Sequence, residues 1–64
     1  MMKLLIGLFY TNSGNVVEIV DVREDPPMVT VTLRKVPDEG AIGEEGATWE
    51  ADWAEFTAGW NPLE

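Results

Sequence analysis

Residues 47–60 read ATWEADWAEFTAGW, and the rest of the chain is organised around how they fold. Trp49, Trp53, Phe56 and Trp60 stand at i, i+4, i+7 and i+11. At about 3.6 residues per turn these rings share one narrow helical face. Glu50, Asp52 and Glu55 fall beside or opposite the stripe, so the spacing predicts a helix with an aromatic side and an anionic side. Thr48 suits the N-cap, because its hydroxyl can accept from a free N–H of the first turn. Glu50 and Asp52 then sit near the positive end of the helix dipole. Gly59 suits a left-handed closing position, and Asn61-Pro62 prevents continuation. All three tryptophans of the chain lie here, and each ring can bury roughly 150–250 Å². The stripe is therefore read as core, with Trp60, at the fraying end, as the ring placed to anchor a partner.

Upstream, residues 37–46 (PDEGAIGEEG) hold three glycines, one proline and four acids, which makes a loop, with Ile42 as its pin to the core. Residues 28–36 (MVTVTLRKV) alternate: Val29, Val31 and Leu33 point one way, and Thr30, Thr32 and Arg34 the other. Residues 16–23 (VVEIVDVR) are dominated by β-branched side chains, and neither parity is cleanly polar, as expected of a central strand. Glu24-Asp25-Pro26-Pro27 breaks that strand and joins it to the next as an antiparallel hairpin. Residues 11–15 (TNSGN) read as a turn. Residues 3–10 (KLLIGLFY) read as an apolar strand in which Gly7 marks a bend.

The sum is one domain over residues 1–64 with the order β–β–β–loop–α. The expected fold is α+β, a three-stranded antiparallel sheet with one C-terminal helix across a face. The alternative is a small SH3-like β-barrel, with residues 47–50 as a short strand and 51–56 as a single helical turn. Both bury the same side chains. A chain this short buries only about 60% of the surface its unfolded form exposes, so association with a second copy is a natural source of further burial.

The formal net charge is −8. Residues 1–35 carry Glu18, Asp21, Glu24 and Asp25 against Lys3, Arg23, Arg34 and Lys35, which sum to zero. Residues 36–64 carry Asp38, Glu39, Glu44, Glu45, Glu50, Asp52, Glu55 and Glu64 with no base. Such a field repels nucleic acid and anionic membranes and attracts basic protein surfaces. No stretch is long enough to span a bilayer, and residues 1–10 read as a core strand rather than an export leader. The lack of cysteine fits a reducing cytoplasm.

Several chemistries are missing. Without His or Cys there is no imidazole base, no thiol nucleophile and no Cys-based zinc site. Ser13, the only serine, has no histidine to activate it. No phosphate-cradling glycine motif is present. Paired carboxylates serve glycosidases, but those need a cleft, so the expectation is no enzyme and no cofactor. Asp38, Glu39, Glu44 and Glu45 lack the spacing of a calcium loop and are read as solvated, with no metal. Arg23, Arg34 and Lys35 flank the hairpin, too few cations to bind DNA or RNA directly.

The run from Gly14 to Val22, a second strand over residues 29–34, and Trp-x-x-x-Trp-x-x-Phe before Asn61-Pro62-Leu63 make an outline that resembles small phage and prophage proteins, some with SH3-like folds. That resemblance, over residues 8–64, implies an origin in mobile genetic elements, whose small acidic proteins often block host machinery. It assigns no functional residue.

Two functions follow as expectations. In the first, Asp38, Glu39, Glu44, Glu45, Glu50, Asp52 and Glu55 imitate a run of phosphates, with Trp60 as an anchor. The protein would then inhibit, in the host cytoplasm, a nuclease, polymerase, repressor or CRISPR complex by covering its basic groove. In the second, the protein is an interaction or assembly module. It pairs with a partner or with itself as a homodimer, through the face of Met28, Thr30 and Thr32 or through a sheet edge, and acidity serves only solubility.

Overall fold

The computed structural model describes residues 2–63; Met1 and Glu64, the last of the eight C-terminal acids, lie outside them. After a 3-10 helix at Met2–Leu5 come β1 (Phe9–Asn12), β2 (Asn15–Glu24), β3 (Pro27–Lys35), β4 (Thr48–Asp52), α1 (Trp53–Gly59) and β5 (Asn61–Pro62). Among the described residues these strands form one antiparallel sheet in the order β4-β3-β2-β1-β5. The fold is α+β, an open antiparallel sheet with one helix. It has five strands rather than the expected three, and β4 and β5 stand at opposite edges, so the sheet does not close into a barrel.

The β2–β3 hairpin is the centre of the sheet. Its Val17, Ile19, Val29, Val31 and Leu33 are fully buried. The mixed parity of residues 16–23 has a simple cause. Ile19 faces Val31 and Asp21 faces Thr30, so Val20 is an extra residue in β2 and forms a bulge. A bulge resets the alternation. Val17, Ile19 and Val22 therefore share the core side, while Glu18, Asp21 and Arg23 share the other. The hairpin turns at Asp25-Pro26, whose peptide bond is cis.

The β1–β2 connection is tighter than the expected five-residue turn. Asn12 faces Asn15, leaving Ser13 (φ 51°) and Gly14 (φ 88°) as a two-residue loop. Positive φ at both central positions is the twist-matched hairpin turn. A Cβ on Gly14 would also lie 3.0 Å from the Pro37 Cβ, so the turn packs closely under the start of the long loop.

Residues 3–10 do not form one strand. Gly7 has φ 94°, and before it the chain coils so that Met2 and Leu5 pack on the core while Leu4 and Ile6 stay exposed. Past the bend the chain already runs beside β2: Gly7 N–H donates to the Ile19 carbonyl at 2.8 Å, and Ile19 N–H to the Leu8 carbonyl at 2.9 Å.

The largest difference lies in residues 47–60. The first half is a strand, not a helix. Trp49 pairs with Val31 and Ala51 with Val29, which places both on the core side. Thr48 and Glu50 fall on the other side and are exposed. The helix begins only at Trp53, capped by Asp52 rather than Thr48: the Asp52 carboxylate accepts from Glu55 N–H at 3.2 Å. The helix ends without a left-handed glycine. Trp60 is extended (φ −124°, ψ 143°), and its N–H donates to the Phe56 carbonyl at 2.9 Å.

The rings still meet, from strand and helix together. Phe56 is buried and the three indoles are half-buried. Tyr10, supplied by β1, stands edge-on to Phe56 at 5.1 Å and to Trp53 at 6.2 Å. Seven residues are too few for a helix to hold by itself. Burial of Phe56 against Tyr10, with the Asp52 cap, keeps α1 on the sheet.

Candidate functional site

An open groove of about 410 Å³ is lined by Asn12, Ile42, Trp49 and Trp60. These four come from β1, the long loop, β4 and the end of α1, so the groove exists only in the folded chain. Trp60 lines it as a half-buried ring stacked on Phe56, at 5.6 Å between centroids and 10° between planes. Phe56 covers one face of that indole, so its opposite face or an edge serves the groove. Trp49 is half-buried as well, fixed by pairing of its strand to Val31.

The polar scaffold beneath the groove is Asn15, which is fully buried. Its Nδ2 donates to the Asn12 carbonyl at 3.2 Å and to the Gly40 carbonyl at 3.1 Å. Its Oδ1 accepts from Ile42 N–H at 3.2 Å. One amide thus binds backbone on both sides and leaves no polar atom unmatched. Ile42 does not pin the loop to the core as expected, since its side chain is 53% exposed. The loop is held instead by Asn15 and by Leu33, whose N–H and carbonyl pair with Ala47 and Gly46 at 2.8 and 2.7 Å. The Asn12 side chain in turn donates to the Gly59 carbonyl, tying β1 to the end of the helix.

The acids expected to act as one surface separate into two groups. Glu50 is engaged: both its oxygens accept from Arg23, from Nε at 2.9 Å and Nη2 at 2.8 Å. The hydrogen bond that Arg23 donates to Glu50, and then the charge of Glu50, hold the Arg23 guanidinium pKa above its ordinary value. Asp52 is occupied as the helix cap. Asp38, Glu39, Glu44, Glu45 and Glu55 are exposed and make no ion pair among the described residues. Of the three cations that flank the hairpin, Arg34 pairs with Glu18 at 2.8 Å and Arg23 with Glu50. Among the described residues no three acidic side chains gather into a cation site, and no helix is long and apolar enough to cross a membrane.

Sequence reasoning singled out Trp60 as a partner anchor but did not join it to Asn12, Ile42 and Trp49 in one groove, nor find Asn15 as its support. The signal for Asn15 was faint: an asparagine directly after a tight Ser-Gly turn, followed by a strand. Indole, alkyl and amide groups bind by stacking, apolar contact and hydrogen bonding. Comparison with known protein families, with curated proteins and with solved structures finds no match for this chain.

Proposed function

We propose that the protein is a small, non-enzymatic acidic inhibitor that docks on a basic protein surface and stands in for the phosphates of nucleic acid. The observation that carries this reading is the set of five exposed carboxylates, Asp38, Glu39, Glu44, Glu45 and Glu55, unpaired among the described residues, in a part of the chain with no base after Lys35. Of the other two acids in the stretch, Glu50 is engaged by Arg23 and Asp52 caps α1. The resemblance to phage proteins suggests a host nucleic-acid-binding protein or defence complex as the target. The test is capture of partners from a host lysate by the tagged protein, at low and high salt, with double-stranded DNA as competitor. A captured protein should be released by DNA and by salt. Reversing the charge of Glu39, Glu44, Glu45 and Glu55 together should abolish capture while the melting curve persists. Unchanged capture by that variant overturns the reading.

One observation favours assembly as a second function. Leu4, Ile6, Leu8 and Phe9 are exposed near one another in sequence, and Leu63, also exposed, donates its N–H to the Phe9 carbonyl at 2.9 Å. These residues belong to, or adjoin, the charge-neutral part of the chain, where two copies meet with little repulsion. Sedimentation over a wide concentration range, repeated with Leu4→Glu and Leu8→Glu, decides it: a monomer throughout excludes self-assembly.

A further inference from the structure

We propose that the groove between Trp49 and Trp60 seats an arginine side chain from an extended basic segment of the partner protein; this rests on the basic-partner reading above and gives it a place on the molecule. The walls point to that chemistry. Trp49 and Trp60 supply two half-exposed indoles, and a guanidinium is drawn to an indole face by the ring quadrupole while stacking its flat, weakly hydrated plane there. Ile42 offers apolar surface for the aliphatic stem of the same side chain.

Charge then selects an arginine over a neutral ring. None of the lining residues is basic. Ile42 lies in a loop with Asp38 and Glu39 before it and Glu44 and Glu45 after it, all exposed and without an ion pair among the described residues. Of the four bases, Arg23 and Arg34 are held by Glu50 and Glu18, and neither Lys3 nor Lys35 lines the groove. The loop that brings Ile42 to the groove thus carries carboxylates with no ion-pair partner among the described residues, and their field draws a cation towards that side of the molecule. The groove, at about 410 Å³, has room for one long side chain, which an extended segment presents.

The probe is a short peptide of alternating arginine and proline, kept extended by its prolines, titrated against the full chain by tryptophan fluorescence. Its counterpart carries citrulline for arginine, which keeps shape and hydrogen bonding but removes charge. The arginine peptide should bind roughly tenfold tighter than the citrulline one and shift the indole emission. Ile42→Arg, a change at an exposed position that folding tolerates, should fill the groove and weaken binding roughly tenfold relative to Leu63→Arg, which adds the same charge elsewhere. Equal affinity for the two peptides, equal effects of the two variants, or no binding of the arginine peptide overturns the proposal. Failure here is separable from failure of the broader reading. If lysate capture still depends on Glu39, Glu44, Glu45 and Glu55 while Ile42→Arg is without effect, basic docking stands and the groove is not its seat.

Discussion

Asn15 donates to the carbonyl of Gly40 across 25 positions of sequence, at 3.1 Å, from a side chain with no exposure to solvent. With the Ile42 N–H bonded to the same amide, this contact fixes the middle of a loop that has little apolar anchorage. Replacing Asn15 by Leu keeps the size and strands three backbone groups. A buried group left without its partner costs about 1–3 kcal/mol. The expected outcome is a lower melting temperature and faster amide exchange at Ile42, with the exchange of Val31 and Leu33 following only the global change. Exchange at Ile42 unaltered in the variant would show that the loop is held by something else.

Phe56, not a tryptophan, is the ring that the fold depends on most. It is 3% exposed and contacts Tyr10, Trp53 and Trp60. Phe56→Ala should cost about 3–5 kcal/mol. A domain of this size has roughly 3–10 kcal/mol in all, at about 0.05–0.15 per residue, so the variant is expected to be largely unfolded at 37 °C. Trp53→Ala, which truncates a half-buried ring, should cost less, about 2 kcal/mol. Urea titration of both variants checks the order; the reverse order would mean that the indole is the true keystone.

What the chain made legible was local, and what it hid was tertiary. The β2–β3 hairpin could be read because β-branched residues and the Pro-Pro break both act within a few residues. Its bulge at Val20 could not, because only the register against β3 reveals it. Residues 47–60 misled for a physical reason. Trp49, Trp53, Phe56 and Trp60 satisfy a helical period, but a strand followed by a short helix puts the same four rings near one core. The free edge of β3 captured residues 48–52, and pairing to Val29 and Val31 outweighed helix propensity. The true helix start was nonetheless written in the sequence as Asp52-x-x-Glu55, an acid at the cap with a glutamate three residues on. Of the candidate site, Trp60 and the loop acids were legible from composition and position. The groove was not, since it joins residues from four separate segments.

That reassigned helix start carries its own test. Asp52→Ala removes the oxygen that accepts from Glu55 N–H and should cost about 1 kcal/mol. The Glu55 amide should lose protection first. Thr48→Val, at the position expected from sequence to cap, should instead remove the hydroxyl pair with Thr32, 3.1 Å away, and leave α1 intact. If Thr48→Val unwinds α1 while Asp52→Ala does not, the helix begins where the ring spacing first suggested.

Arg23 lies outside the groove and serves to occupy Glu50. Arg23→Gln removes one positive charge, taking the formal net charge from −8 to −9, and releases the Glu50 carboxylate to solvent. Both side chains are substantially exposed (62% and 38%), so the pair adds little to stability and salt screens it. If docking runs on free carboxylates, the loss of a surface arginine should therefore strengthen binding to a basic partner, chiefly through faster association at low salt, with the gain fading as salt is added. Glu50→Gln should leave binding near the parent, because that carboxylate was already engaged. Stopped-flow association of the arginine-proline peptide with both variants measures this. Slower association for Arg23→Gln would mean that the guanidinium itself touches the partner, and would move the docking surface from the loop to the open face of the sheet.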